Sequence, residues 1–219
     1  MNEFFPFDTA EFAENPEPRC PCLLLLDCSG SMAGEAINQL NAGIIDFKEQ
    51  LMSEKLASKR VELAIIKFGQ VEVLNDFETA DVFTPTTLEA SGNTPMGEAI
   101  TRGIELLRER KETYKSHGIS YYRPWIFLIT DGSPTDSWNT AAQMVRFGEG
   151  NNEFAFFAVG VEDADMSILG QISVREPLRL RGLNFRGLFQ WLSNSMRSIS
   201  RSSTDMQVQL ESPAGWACV

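Results

Sequence analysis

Leu23-Leu24-Leu25-Leu26-Asp27-Cys28-Ser29-Gly30-Ser31-Met32 decides how this chain is read. A continuous apolar run bounded by turn residues suits a strand covered on both faces, as in a parallel sheet. This run ends in a carboxylate, and two hydroxyls follow at alternate positions with a glycine between them. Asp27, Ser29 and Ser31 then lie on the loop at the strand's carboxyl end, the edge where open α/β sheets build ligand sites. Hard oxygen donors without an imidazole or thiolate pattern suit Mg²⁺ or Mn²⁺ rather than zinc. On these residues alone a second reading stands beside the first: a buried strand followed by a polar turn that happens to contain Asp and Ser.

Outward from this stretch, strands and helices alternate. Apolar residues recur at helical spacing from about Gly34 to Ala57 (Ile37, Leu40, Ile44, Phe47, Leu51), which predicts one amphipathic helix covering the sheet. Val61 to Phe68 reads as a second strand. Gly69-Gln70 is a tight turn, so Val71 to Phe77 must return antiparallel. A loop from Glu78 leads to Ser91-Gly92-Asn93-Thr94-Pro95-Met96-Gly97, where a helix begins and runs to about Lys115. Thr94 fits there as an N-cap ahead of Pro95.

Pro124 to Thr130 is another buried strand that delivers a carboxylate, Asp131, at its carboxyl end. A short helix from Ser137 to about Phe147, a strand from Glu153 to Val161 and a helical piece from Met166 to Ile172 follow. Pro177 to Leu180 reads as an edge strand, and Phe185 to Ile199 as a closing helix. The alternation predicts an α/β fold: a doubly wound, mostly parallel, Rossmann-like sheet with one antiparallel edge strand. Asp27, Thr94 and Asp131 then come from three loops on one edge. Residues 1–19 read as an irregular lead-in, 20–202 as the domain, and 203–219 as a polar tail with Trp216.

Composition narrows the function classes. A chain of 219 residues fits one large α/β domain. Its formal charge of −11 argues against a general nucleic-acid or anionic-membrane surface, although arginines crowd the C-terminal part. The longest apolar runs are strand-sized, so no membrane span is expected. The N-terminus lacks the basic region and apolar core of a secretory signal. Cys20, Cys22, Cys28 and Cys218 match neither a zinc knuckle nor a disulfide scaffold and read as reduced thiols of a cytoplasmic protein. His117 reads as part of a solvated loop and is given no catalytic role.

Three motifs in order then carry a resemblance. Leu-Leu-Asp27-Cys-Ser29-Gly-Ser31-Met is similar to the D-x-S-x-S motif of von Willebrand factor A domains. Gly92-Asn93-Thr94-Pro95-Met96 resembles that family's second loop, and Leu-Ile-Thr-Asp131-Gly132 its third. Within the family the chain looks most like the bacterial TerY-type proteins of tellurium-resistance and stress-response clusters. That finer likeness rests on Ser-Gly-Ser-Met-Ala-Gly-Glu-Ala-Ile-Asn, Ala-Ser-Gly-Asn-Thr-Pro-Met-Gly and Thr-Asp-Gly-Ser-Pro-Thr-Asp.

The resemblance implies a metal-ion-dependent adhesion site. Ser29 and Ser31 would bind Mg²⁺ directly, Thr94 directly or through water, and Asp27 and Asp131 largely through waters. An Asp or Glu of a protein partner would complete the shell. The loops Thr135-Asp136-Ser137-Trp138 and Glu162-Asp163-Ala164-Asp165 would supply surrounding partner surface. Trp138 is either an exposed anchor or a packed aromatic at a helix start. For a TerY-like chain the partners would be a kinase and a phosphatase of the same stress-response system. Two alternatives stand beside this non-enzymatic binding module. One is a Mg²⁺-dependent phosphatase with Asp27 as nucleophile, although Ser29 stands where such enzymes place a second Asp. The other is a scaffold with a vestigial metal site.

Overall fold

The computed structural model describes residues 7–204 and 212–218. Its strands are β1 (Cys20–Asp27), β2 (Val61–Phe68), β3 (Glu72–Thr79), β4 (Trp125–Thr130), β5 (Ala155–Gly160), β6 (Leu178–Leu180) and β7 (Ala217–Cys218). They form one sheet in the order β3-β2-β1-β4-β5-β6-β7. Helices α1 (Phe7–Glu14), α2 (Glu35–Met52), α3 (Lys55–Arg60), α4 (Met96–Ser116), α5 (Asn139–Gly150), α6 (Met166–Ile172) and α7 (Phe185–Arg201) complete the chain.

Burial on both faces explains the unbroken apolar strands. In β1, Cys22, Leu24 and Leu26 enter one core with Leu40, Phe47 and Phe189 from α2 and α7. Leu23 and Leu25 enter the other with Ile100, Ile104 and Val145 from α4 and α5. Each such side chain contributes about 1.5–3 kcal/mol relative to exposure. The parallel register sets Asp27 beside Phe68 at the strands' carboxyl ends, and Leu26 beside Ile129 of β4. That places the loops after β1 and β4 side by side.

Four expectations change. The single helix over 34–57 is two, because the chain turns extended at Glu54 (φ −126°), where the Ser53 hydroxyl bonds back to the Gln50 carbonyl at 2.6 Å. The sheet holds two antiparallel pairs rather than one antiparallel edge strand, β2 with β3 and β6 with β7. The second pair comes from the supposed polar tail, where Trp216 is 2% exposed and packs on Trp191 with ring centroids 5.5 Å apart. The lead-in, expected to be irregular, contains α1. Residues 1–6, including Phe4 and Phe5, and residues 205–211 of the tail lie outside the described residues.

At the opposite end of the sheet α1 is seated on a buried charge network. The Glu62 carboxylate accepts from Arg19 Nε at 2.8 Å and Arg110 Nε at 3.0 Å, and from the Tyr114 hydroxyl. The two guanidiniums each lie over the Phe12 ring, 5.1 Å from its centroid. Arg19 and Glu62 are both fully buried. Desolvation pushes the Glu62 pKa up, opposed by Arg110, Tyr114 and Arg19.

Candidate functional site

The first loop is organised by Asp27, which is fully buried. Its Oδ1 accepts the Ser29 N–H at 2.8 Å, and its Oδ2 accepts the Thr130 hydroxyl from the end of β4. Thr130 Oγ1 accepts in turn from the Gly132 N–H at 3.2 Å. One carboxylate therefore holds both the turn after β1 and the turn after β4. Burial raises the Asp27 pKa; the hydrogen bonds from Ser29 and Thr130 oppose this and the nearby Asp131 charge adds to it.

From this base the two serine hydroxyls project together, Ser29 Oγ lying 3.0 Å from Ser31 Oγ. Ser31 Oγ donates to Asp131 Oδ1 at 2.7 Å. The first and third loops thus meet directly through side chains. Thr94 is buried, and a Cβ placed on Gly132 would lie 3.6 Å from its Oγ1. The Thr94 hydroxyl accordingly borders the turn that carries Asp131. All five residues selected from the sequence belong to one edge: Asp27, Ser29, Ser31 and Asp131 in a hydrogen-bonded set, Thr94 beside it.

Backbone contacts fix the second loop against the first. Cys28 carbonyl accepts the Ser91 N–H at 2.7 Å, and the Gly30 N–H donates to Gly92 carbonyl at 3.1 Å. Gly69 lies under both: an added Cβ would stand 2.1 Å from Ser91 O and 2.7 Å from Cys28 O. Gly92, at φ +83°, faces Gly69 with equally little room. The tight turn between β2 and β3 therefore also seats the site.

Thr94 does not cap α4. No side chain of its own N-cap position does so. Asp136 takes that part from the third loop, its Oδ1 accepting from Gly97 N–H at 3.0 Å and its Oδ2 from Glu98 N–H at 2.8 Å. Thr135 completes the junction: its Oγ1 accepts the Thr94 N–H at 3.1 Å and its own N–H donates to Thr94 O at 2.9 Å. Thr130, Thr135 and Asp136 were not among the selected site residues. Their signal was present in the stretch Thr130-Asp131-Gly132-Ser133-Pro134-Thr135-Asp136, which repeats the hydroxyl-and-carboxylate character of the first loop.

Other selected positions have structural partners. Trp138 is half-buried and packs into the second core. Asp165 caps α6 by accepting the Ile168 N–H at 3.0 Å. Glu162 sits at φ 44° with its carbonyl held by Arg179 at 2.6 Å. His117 ends α4 against the Phe12 ring, at the other end of that helix from Thr94.

The donor set is two carboxylates and three hydroxyls. Among the described residues no three His, Cys, Asp or Glu side chains gather as a metal-holding group. Any cation here would depend on hydroxyl oxygens and water, which suits a hard ion such as Mg²⁺ and not zinc. Asp27, with both oxygens engaged by the protein, fits a supporting part, while Ser29, Ser31, Thr94 and Asp131 bring oxygens to the carboxyl edge of the sheet, Ser31 exposed and the others buried.

Comparison with known proteins gives the family. The von Willebrand factor type A domain model matches residues 23–179. Proximal thread matrix protein 1 from the mussel byssus is similar over 83% of this chain and 48% of its own, at 17% identity and TM-score 0.56. The chain thus spans about half the length of that protein. The ArnB paralog VWA2 from Sulfolobus acidocaldarius is similar at 19% identity and TM-score 0.51, over 80% of this chain and 44% of its own. The vWF domain of the type V pili tip protein Mfa5 from Porphyromonas gingivalis aligns over 87% of this chain and 99% of its own, at 10% identity and TM-score 0.59. No curated protein matches. With more than half its length matched, the chain belongs to the von Willebrand factor type A domain family.

Proposed function

We propose that this chain is a metal-dependent protein-binding module. Its Mg²⁺ (or Mn²⁺) would be held by Ser29, Ser31, Thr94 and Asp131, with Asp27 supporting from beneath. The observation that carries the reading is the meeting of Ser31 with Asp131 at 2.7 Å beside Ser29. Three loops bring hydroxyls and a carboxylate to the carboxyl edge of the sheet, where Ser31 is exposed and Ser29, Thr94 and Asp131 lie buried around it. When bound, the cation would supply a Lewis-acidic centre that an Asp or Glu of a partner could complete. Hydroxyl ligands leave a divalent ion under-neutralised, so an incoming carboxylate gains both a bond and charge balance. Asp27 and Thr130 keep the turns in register, and Thr135 and Asp136 keep Thr94 turned away from capping duty.

Burial of Asp27 speaks against the phosphatase alternative. A nucleophilic carboxylate must reach a substrate phosphorus, and both Asp27 oxygens are committed to Ser29 and Thr130. Within the family we carry the motif likeness to TerY-type proteins one step further. The partners would then be a kinase and a phosphatase of a cytoplasmic, tellurium-resistance-type stress response. This step rests on the motif resemblance alone.

Isothermal titration with MgCl₂ tests the site. One binding event is expected in the wild type, and its loss in Ser31→Ala and Asp131→Ala. Capture of a partner that survives both a chelator and Asp27→Ala would overturn the metal bridge and leave a scaffold with a vestigial site.

A further inference from the structure

A groove of about 510 Å³ runs between β3 and α4, beginning beside the proposed metal edge. One wall is Val71 and Val73; the other is the α4 face that carries Glu98, Thr101 and Glu105. Asp136 stands at its head, already tied to the start of α4. The topology explains the position. β2 ends at the metal edge, with Phe68 beside Asp27, and β3 returns from there with Glu72 paired to Lys67. α4 also starts at that edge and packs over β1 and β2, so the outermost strand is left with a trough alongside it.

The charges in the groove are unbalanced. Arg102 lies 4.0 Å from Glu105 and 3.6 Å from Glu109 and serves both. Among the described residues Glu98 forms no ion pair. The Asp136 carboxylate is used by two backbone N–H groups. The trough therefore offers two aliphatic side chains on one wall and excess negative charge on the other.

We infer that this groove receives an extended segment of the same partner whose carboxylate reaches the metal, and that the segment carries a Lys or Arg against Glu98 and Glu105. The inference rests on the metal-bridge reading above. Gly97, Thr101 and Glu105 are four residues apart and share one helix face. From Gly97 to Glu105 the helix rises about 12 Å, at roughly 1.5 Å per residue. An extended segment covers that length in about four residues, at roughly 3.3 Å each. The recognised feature is thus an acidic residue followed, about four positions or more along, by a basic one, with an aliphatic side chain between them facing Val71 and Val73.

Labelled hexapeptides test this in the intact chain. The probes are Gly-Asp-Val-Ser-Val-Lys, its reversed order, and versions with Ala or Glu in place of Lys, each measured by fluorescence anisotropy with MgCl₂ and with EDTA. The expected result is Mg²⁺-dependent binding in which one lysine order exceeds its Glu version by about threefold or more, the scale of an exposed charge pair. The Glu98→Lys/Glu105→Lys variant should reverse the preference while still binding Mg²⁺ in the titration. Both exchanges are on exposed side chains, so folding is preserved. Mg²⁺-dependent binding that is equal for Lys, Ala and Glu in both orders would overturn the groove and leave the metal reading standing. Binding that ignores EDTA would overturn the metal reading and this inference with it, and no binding by any probe would overturn this inference while the MgCl₂ titration decides the metal reading.

Discussion

Thr94 and Thr135 hold each other by two hydrogen bonds, although they sit on different loops 41 residues apart. The pairing fixes the backbone at Thr94 without using its hydroxyl. Outer partners of this kind orient ligand groups, and their loss typically costs 10- to 100-fold in metal affinity. Thr135→Val keeps the shape and removes the acceptor. We expect Mn²⁺ affinity, read by electron paramagnetic resonance, to fall roughly tenfold. Thr135→Ser should retain it. Equal affinities in all three proteins would refute the role.

Asp136 makes a different prediction, one of stability. Its carboxylate satisfies two N–H groups at the start of a 21-residue helix. Asp136→Ala should cost about 1 kcal/mol, the usual worth of a helix cap. For a chain of this size that lowers the melting temperature by about 2–4 °C. A denaturation midpoint unchanged from wild type would show that the helix start does not depend on it.

Ligand linkage gives a third expectation. A cation bound only by the folded chain raises stability by about 2.7 kcal/mol when present at 100 times its dissociation constant. Thermal scans should therefore show the melting temperature rising with MgCl₂ in wild type. Asp131→Asn, which keeps the shape of the Ser31 contact, should flatten that response. A parallel rise in the variant would place the stabilising ion elsewhere.

The buried network at the far end of the sheet predicts the largest single loss. Glu62→Leu leaves Arg19 fully buried without its counter-charge. Removing one partner of such a pair costs about 3–5 kcal/mol. Tyr114→Phe removes one hydrogen bond to the same carboxylate, worth about 1–3 kcal/mol to a charged acceptor. Urea titration should rank them in that order; the reverse ranking would mean that Tyr114, not the arginines, holds Glu62.

The thiols give a pH dependence. Burial pushes Cys20 up to about 12, with the Glu62 charge adding, and raises Cys22 well above its ordinary value of 9.0. The folded chain thus keeps these protons where the unfolded chain releases them. Stability from this source is complete below pH 9 and is lost as pH rises toward 12. At pH 8 a thiol reagent should modify the exposed Cys218 in the native chain, and all four cysteines after denaturation. Rapid native labelling of Cys20 or Cys22 would contradict their burial.

How much of this was legible depended on range. β1 and β4 are covered on both faces, so each is written as an unbroken apolar run that stops at an aspartate. Asp27, Ser29, Ser31 and Asp131 stand at the ends of such runs, while Thr94, in a loop, joined the set only through the resemblance of the three motifs to the family. Asp136 could not be read as the cap of α4, because a cap is a local pattern and this one arrives from 38 residues away. Thr94-Pro95 carries the local signal for a cap and loses to that longer-range contact. α1 is tied down by the contacts of Phe12 with Arg19 and Arg110, a match that exists only after folding. β7 has two residues, too few for any periodicity.

That short strand has a consequence for how the protein behaves in a crowded solution. By pairing Ala217 and Cys218 with Leu180 and Arg179, it occupies one side of the sheet and offers only two residues of its own beyond it. The other side ends in β3, whose Asp76 and Glu78 would face like charges on an arriving copy, Glu72 being paired with Lys67. Open strands invite copies to stack, and charge and shortness are the devices that prevent it. Among the described residues the sheet thus carries one such device at each end, and the charge on β3 favours a partner of opposite sign over a second copy.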